Sequence, residues 1–157
     1  MRKSLALVVL VLGIQFSGLA QTQPDKPKLV VGIIVDQMRQ EYLYRFKERF
    51  VEGGFKRFSD QGFMLTNGHY NYIPTFTGPG HASVYSGTTP ATHGVIANNW
   101  YVKQLGRAIY CAEDSTVSNV AGSPENGQIS PRNMLTTTIT DELRFATGKR
   151  SKVVGIA

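Results

Sequence analysis

The sequence predicts an α/β domain in which helices cover both faces of a mostly parallel sheet, as a layered α/β/α sandwich. Residues 28 to 35 (KLVVGIIV) form an unbroken apolar run rich in valine and isoleucine, which is typical of a strand buried on both faces. Large apolar side chains at helical spacing follow it, and a second apolar run ends the chain at residues 152 to 157. Because no turn or polar tail follows that last run, we expect the sheet to be incomplete in this chain.

Two helices are predicted directly after the first strand. The first covers residues 39 to 51, where aromatic and leucine side chains recur every three or four positions, and it ends at Gly53-Gly54. A shorter helix is predicted at residues 55 to 60, closed by Gly62. Residues 63 to 66 then have the composition of a further short strand.

The second half of the chain predicts a helix, a hairpin and a final helix. A short helix at residues 81 to 86 follows Pro79-Gly80, because proline is favourable where a helix begins. Residues 88 to 94 are predicted as a turn region, and residues 100 to 112 as a β-hairpin. The last helix is predicted from Ser130-Pro131 to about residue 147, before the final strand.

The N-terminal residues have the pattern of a secretory leader. Arg2 and Lys3 precede an apolar stretch, and the small residues up to Ala20 suit cleavage after that position. The stretch is shorter than the roughly 20 apolar residues that cross a bilayer, although an uncleaved anchor is the alternative. We therefore expect a signal peptide at residues 1 to 20 and a polar lead-in at residues 21 to 27. The protein would then be periplasmic or secreted, without stable membrane insertion once the leader is removed.

Charge and cysteine content exclude several classes of function. The chain carries 17 basic and 11 acidic residues, and loss of Arg2 and Lys3 with the leader changes the net charge from +6 to 15 − 11 = +4. The basic residues are scattered without an interleaved aromatic stripe, so nucleic acid is not expected as a partner. Cys111 is the only cysteine, which excludes an intrachain disulfide and a paired-cysteine zinc site. A metal here would need Asp, His or hydroxyl ligands.

Two candidate site residues lie where predicted elements end or begin. Asp36 follows the first predicted strand, and ligands bind at the carboxyl ends of strands in open α/β sheets. Thr77 lies where a loop meets a helix, and a helix N-terminus favours phosphate. A hydroxyl there can attack phosphorus when a metal lowers its pKa. The residues alone leave structural alternatives open, with Asp36 as a turn or capping residue and Thr75 or Thr77 as a helix cap.

Asparagine and histidine residues add candidates of lower specificity. Asn98-Asn99 favours a turn, but one of the two amides is also suited to donate to a phosphate oxygen. His81 and His93 lack a standard metal-ligand spacing, so hydrogen-bonded structural roles are favoured for both. His69 has no assigned role.

The chain carries five short motifs in a characteristic order. They are Val35-Asp36-Gln37-Met38, Gly53-Gly54-Phe55-Lys56-Arg57, Pro74-Thr75-Phe76-Thr77-Gly78-Pro79-Gly80-His81, Thr92-His93-Gly94 and Asn98-Asn99-Trp100-Tyr101. Together they resemble the alkaline phosphatase superfamily, in the branch of nucleotide pyrophosphatases/phosphodiesterases and phosphate-irrepressible bacterial alkaline phosphatases. The segments at residues 100 to 114 (WYVKQLGRAIYCAED) and 130 to 133 are most similar to the second group. The resemblance covers nearly all of the chain after the leader.

This resemblance implies an exported two-metal phosphohydrolase that cleaves small-molecule phosphate monoesters through a phospho-threonine intermediate. It implies that Asp36 and Thr77 coordinate one of two Zn²⁺ ions, and that Thr77 is also the nucleophile. It further implies that Asn98 contacts the phosphoryl group of the substrate. Residues 28 to 157 would then be the N-terminal part of an alkaline-phosphatase-like catalytic domain.

Position within the motifs decides between neighbouring residues of the same type. Thr77 matches rather than Thr75 because it stands four positions before His81. Asn98 matches rather than Asn99 because it stands two positions before the tryptophan of its motif.

The chain departs from the resembled family in one respect. The family's remaining metal ligands lie downstream of where this chain ends, as does the Lys/Arg segment that its monoesterases use to hold the phosphoryl oxygens. Because a catalytic zinc ion usually takes three protein ligands, we expect the isolated chain to have little or no activity and low stability. A phosphodiesterase or nucleotide pyrophosphatase of the same superfamily is one alternative, and a non-catalytic truncated remnant is another.

Overall fold

The computed structural model describes residues 27–123 and 127–156 of the chain. The expected signal peptide and residues 21 to 26 of the lead-in lie outside the described residues. The chain divides into two compact units, Met1–Ile33 and Ile34–Ala157, and every element below belongs to the second. In the first unit the described residues have no regular secondary structure, and their apolar side chains are exposed.

The described residues form five α-helices, two 3-10 helices and one two-stranded antiparallel sheet. In chain order these are α1 (Glu41–Arg45), a 3-10 helix (Lys47–Arg49), α2 (Gly54–Gln61), α3 (Thr77–Ser86), α4 (Pro90–His93), β1 (Asn99–Val102), β2 (Arg107–Tyr110), a 3-10 helix (Pro131–Asn133) and α5 (Ile139–Ala146). None of these helices is long and apolar enough to cross a membrane.

The apolar runs that predicted the first and last strands are not paired in a sheet within the described ranges, and neither are residues 63 to 66. Leu29 is 78% exposed and Val154 is 82% exposed, so the burial that such runs indicate is not supplied in the described part of the chain. A strand also needs neighbours for its backbone N–H and C=O groups. The apolar runs therefore indicate burial and strand pairing that the described residues do not provide.

Helix prediction was correct in position but wrong in extent for two segments. The predicted helix at residues 39 to 51 ends at Arg45 and continues only as a 3-10 turn, whereas α2 matches its prediction closely. The predicted helix from Ser130 to residue 147 is split in two. Its second part starts again because Thr138 and Asp141 form a capping box, each side chain satisfying a backbone N–H at the start of α5.

The segment around α3 and α4 is more helical than predicted. Helix α3 begins at Thr77, four residues earlier than expected, and the predicted turn region at residues 88 to 94 contains α4. Both helices end at glycines with left-handed backbone, Gly87 at φ +67° and Gly94 at φ +83°. The hairpin is as predicted, with Trp100 opposite Ile109 and the turn near Gly106.

Burial is concentrated behind α3, which packs against α4 and α5. Only five described residues are buried, and four of them lie in or next to α3 and α4. Val95 and Pro79 are the two apolar side chains among them. These residues are Pro79, Ser83, His93, Val95 and Asp114. The best-packed part of the described chain is therefore the support of the helix that carries Thr77.

Candidate active site

Thr77 is the first residue of α3, and its side chain meets Asp36. The Thr77 hydroxyl donates to Asp36 Oδ2 at 3.3 Å, which is long for a hydrogen bond between oxygens. Asp36 lies in a turn that holds its other oxygen, since Oδ1 accepts the Gln37 N–H at 3.0 Å. Gln37 has a left-handed backbone at φ +57°. Two residues 41 positions apart thus bring a carboxylate and a hydroxyl together on an exposed surface.

Asn98, which follows α3 in the sequence whereas Asp36 precedes it, contacts the same end of the helix. Its Oδ1 accepts the backbone N–H of Gly78 at 2.7 Å. Because an N–H can only donate, this contact fixes which end of the amide faces the helix. The Asn98 amide nitrogen is therefore turned away from Gly78 with its two N–H donors, and no acceptor for them is found among the described residues. Asn99 instead begins β1 and is exposed.

The amide of Asn98 replaces a donor that the helix itself lacks. A helix N-terminus offers anions its unpaired N–H groups and the positive end of its dipole. In α3, however, the Gly78 N–H is bound to Asn98, and Pro79 has no N–H. The outward N–H groups of Asn98 therefore extend the donor set beside Thr77.

Gly78 allows the close approach on which this arrangement depends. A Cβ at this position would lie 3.1 Å from Asn98 Oδ1, 3.1 Å from Cys111 Sγ and 3.2 Å from the Ala97 carbonyl oxygen. Such distances are tighter than most real Cβ contacts, so a side chain at position 78 would require Asn98, Cys111 or Ala97 to move by a few tenths of an ångström. The sequence motif contained Gly78, but nothing in the pattern alone indicated the role of Cys111 or Ala97.

The three histidines have hydrogen-bonded roles. His81 Nδ1 lies 2.8 Å from the Thr77 carbonyl oxygen, and because a carbonyl only accepts, this nitrogen carries the proton. His93 is fully buried, accepts the Val95 N–H through Nδ1, and has its pKa lowered by burial. His69 contacts the Asn67 side chain. These contacts agree with the structural roles predicted for His81 and His93.

A second polar cluster supports the backbone of Asn98 from behind. The Asn98 carbonyl accepts the Cys111 N–H at 2.8 Å, and the Cys111 carbonyl accepts Asn133 Nδ2 at 3.0 Å. Nearby, Asp114 is 5% exposed and accepts from Thr116, Ser130 and Arg132. Hydrogen bonds from the Ser130 and Thr116 side chains hold the pKa of the Asp114 carboxyl well below its usual range. Sequence reasoning missed this cluster because its members lie far apart in the chain.

The donor atoms fit part of a metal site. Asp36 and Thr77 present two oxygen ligands on one face, of the kind that a divalent cation accepts. A catalytic zinc ion usually takes three protein ligands, and the described ranges contain no group of three His, Cys, Asp or Glu residues that could hold a metal. The two oxygens therefore fit as a subset of ligands that needs further donors.

Comparison with known proteins establishes the family. A family model described as type I phosphodiesterase / nucleotide pyrophosphatase matches residues 30–156. The chain belongs to this family, and the resemblance to the alkaline phosphatase superfamily is confirmed.

Individual relatives include alkaline phosphatases of about 50% identity. Alkaline phosphatase PhoV of Synechococcus elongatus is 52% identical over 132 residues, which are 84% of this chain and 24% of PhoV. Alkaline phosphatase PafA of Elizabethkingia meningoseptica is 50% identical over 133 residues, again 84% of this chain and 24% of the relative. A protein of Myroides odoratus named calcium-transporting ATPase is 44% identical over 155 residues, 99% of this chain and 28% of its own length. The chain thus spans about a quarter of these relatives.

Solved structures confirm the fold class. The crystal structure of wild-type PafA matches with a TM-score of 0.82 at 49% identity, over 85% of this chain and 26% of that one. A PafA variant with four substitutions matches with a TM-score of 0.82 at 47% identity, over 86% and 26%. The described elements are therefore an incomplete alkaline-phosphatase-like α/β fold.

Proposed function

We propose that the protein containing this chain is an exported phosphohydrolase that cleaves small-molecule phosphate monoesters, with Thr77 as the nucleophile. The observation that carries the proposal is the juxtaposition of three groups at the start of α3. These are the Thr77 hydroxyl, the Asp36 carboxylate 3.3 Å from it, and the outward N–H groups of Asn98. Phosphoryl transfer needs a nucleophile, an anionic group beside it and hydrogen-bond donors to the phosphate oxygens.

The reaction balances as two displacements at phosphorus. In the first, the Thr77 hydroxyl proton passes to solvent and Oγ1 forms a bond to phosphorus, while the bond from phosphorus to the leaving oxygen breaks and that oxygen takes up a proton from solvent. In the second, the oxygen of water forms a bond to phosphorus, the bond from phosphorus to Thr77 Oγ1 breaks, and a proton from that water restores the Thr77 hydroxyl as phosphate is released. Asn98 donates to the non-bridging oxygens in both steps, where negative charge is held.

A divalent cation is needed to activate the hydroxyl. A carboxylate is a far weaker base than an alkoxide, so Asp36 alone cannot hold Thr77 deprotonated. We propose Zn²⁺, two ions per complete site, with Asp36 and Thr77 among the ligands of one ion and the remaining ligands from outside this chain. When bound, the metal lowers the pKa of a ligating hydroxyl and neutralises charge at phosphorus.

Two comparisons support this assignment, and a third adds a substrate to its test. In the solved PafA variant, the substituted threonine and asparagine are 21 positions apart. Thr77 and Asn98 are separated by the same interval, 98 − 77 = 21. The names of PhoV and PafA favour monoester hydrolysis, and the relative named as an ATPase makes ATP a substrate to include in any test.

The direct test uses the full-length gene product purified with zinc. Hydrolysis of p-nitrophenyl phosphate, its bis ester and ATP is measured for the wild type and for Thr77→Ala, Thr77→Ser and Thr75→Ala. We expect the monoester to be preferred and Thr77→Ala to lose at least about a thousandfold in kcat. Thr77→Ser keeps a hydroxyl and should retain more activity, and Thr75→Ala should stay within about twofold of the wild type.

Each alternative has its own outcome in this assay. Preference for the bis ester or for ATP would favour a phosphodiesterase or nucleotide pyrophosphatase. Activity unaffected by Thr77→Ala would contradict the nucleophile assignment. No hydrolysis of any substrate would favour a non-catalytic remnant.

Export is tested separately. We propose that residues 1 to 20 are cleaved as a signal peptide, because they combine a basic start, an apolar stretch and small residues before Gln21. Sequencing the N-terminus of the secreted or periplasmic protein should give Gln21 as its first residue. A protein that retains Met1 in the membrane fraction would indicate an uncleaved anchor.

A further inference from the structure

A continuous chain of hydrogen bonds runs behind α3, and the proposed chemistry does not use it. The Val95 N–H donates to His93 Nδ1 at 3.2 Å, and His93 Nε2 lies 3.0 Å from Ser83 Oγ. Ser83 Oγ lies 2.7 Å from Tyr72 Oη. Tyr72 Oη donates in turn to the Pro79 carbonyl oxygen at 3.0 Å.

The direction of every bond in this chain follows from its two ends. The Val95 N–H only donates, so His93 Nδ1 must accept and the neutral ring carries its proton on Nε2. The His93 Nε2–H donates a hydrogen bond to Ser83 Oγ, and the Ser83 hydroxyl in turn donates to Tyr72 Oη. The Tyr72 hydroxyl then donates to the Pro79 carbonyl oxygen, which can only accept. One arrangement of protons therefore satisfies all members.

The chain lies in the best-buried part of the described structure. His93 is 0% exposed and Ser83 is 8% exposed, while Pro79 is fully buried and Tyr72 is half-buried. A buried polar group that loses its partner costs the free energy of its desolvation. Loss of one link therefore leaves a donor or an acceptor unpaired at each broken contact.

This series of hydrogen bonds connects three segments to the first turn of α3. Tyr72 comes from the loop before the helix, Ser83 from the helix itself, and His93 from the end of α4. Its last acceptor, the Pro79 carbonyl, is only two residues after Thr77. The position of that turn sets the direction of the Thr77 side chain.

We propose that Tyr72, Ser83 and His93 are positioning residues, which hold the first turn of α3 so that Thr77 faces phosphorus, a role that rests on the proposed phosphatase function. None of the three touches the substrate in this arrangement. Their effect is on orientation, and an orientation error of about 1 Å can cost on the order of a hundredfold in rate.

The test measures kcat and KM on p-nitrophenyl phosphate for the full-length protein with Tyr72→Phe, Ser83→Ala and the double variant. Tyr72→Phe removes one oxygen and keeps the ring, so it should fold even if Ser83→Ala does not. Folded fraction from circular dichroism and zinc content per molecule normalise each rate. We expect kcat per folded, zinc-loaded molecule to fall about tenfold with KM within about twofold. The kcat of the double variant should be no lower than that of the more impaired single variant, because both substitutions interrupt the same series of hydrogen bonds.

Tyr70→Phe is the matched control. Tyr70 lies two residues from Tyr72, and its hydroxyl makes a long 3.4 Å contact to the Gly80 carbonyl of the same helix, outside the chain. We expect its kcat to stay within about twofold of the wild type. The positioning role would be overturned if Tyr72→Phe kept the wild-type kcat, or if it lowered only the amount of folded protein and not kcat per folded molecule. It would also be overturned if Tyr70→Phe lost as much kcat as Tyr72→Phe. An inactive wild type would overturn the proposed function itself.

Discussion

The side-chain oxygen of Asn98 accepts the backbone N–H of Gly78 at 2.7 Å, so the amide nitrogen of Asn98 faces away from the helix. Asn98→Asp keeps an acceptor for Gly78 but removes both outward donors and places a negative charge there. We expect kcat/KM for a phosphate monoester to fall by about a hundredfold or more. Asn99→Asp adds the same charge at an exposed position and should stay within about threefold. Equal effects of the two variants would contradict the assignment of Asn98.

Gly78 and Gly80 form a second matched pair within one turn of α3. A Cβ at Gly78 would lie 3.1 Å from both Asn98 Oδ1 and Cys111 Sγ, whereas the nearest atom to a Cβ at Gly80 is the Tyr70 hydroxyl at 3.8 Å. We expect Gly78→Ala to lower kcat/KM by about tenfold through displacement of Asn98. Gly80→Ala should keep activity and stabilise the helix by up to about 1 kcal/mol. Steady-state kinetics and thermal melting of both variants provide the check, and unchanged kinetics in Gly78→Ala would disprove the steric argument.

The sequence motifs singled out Asp36 and Thr77 as a pair, and the structure brings their side chains into contact. Their roles as metal ligand and nucleophile stay predictions. The strand pattern at residues 28 to 35 indicated two-sided burial, which the described residues do not supply. Helix α4 was missed because four residues ending at a glycine resemble a turn. The chain of bonds through Ser83 and His93 was not predictable, since hydroxyl and imidazole partners leave no periodic signal.

Alanine substitutions at Gly94 and Gly87 distinguish the cost of backbone strain from the cost of overpacking. Both have left-handed backbone, but a Cβ at Gly94 would lie 2.7 Å from Leu135 Cγ, while a Cβ at Gly87 would meet nothing within 4 Å. Gly87→Ala should cost about 1–2 kcal/mol through strain alone. Gly94→Ala should cost the same strain and a further 1–3 kcal/mol or so from overpacking. The thermal midpoint should therefore fall further for Gly94→Ala, and the reverse order would refute the contact with Leu135.

His93 makes stability depend on pH. Burial lowers its pKa below the ordinary histidine value of 6.5, so the unfolded chain binds more protons than the folded one below that pH. The stabilisation from neutral His93 is therefore complete above pH 6.5 and is lost as pH falls through that value towards the lowered pKa. Between pH 8 and pH 5 the thermal midpoint of the wild type should fall more steeply than that of His93→Gln. His69→Gln, at an exposed position, should keep the wild-type slope. Identical slopes for all three proteins would exclude His93 as the source.

The 41 positions between Asp36 and Thr77 also have a consequence for the order of assembly. The contacts of Gly78 with Asn98 and of Ser83 with His93 close loops of 20 and 10 positions. Loop-closure entropy rises with the logarithm of loop length, so the shorter closures are less costly. Thr77 and Asn98, the proposed nucleophile and the proposed hydrogen-bond donor to phosphate, therefore belong to one locally ordered unit that can form first, and the Asp36 carboxylate joins it last. A slow step in acquiring activity would then report the arrival of Asp36.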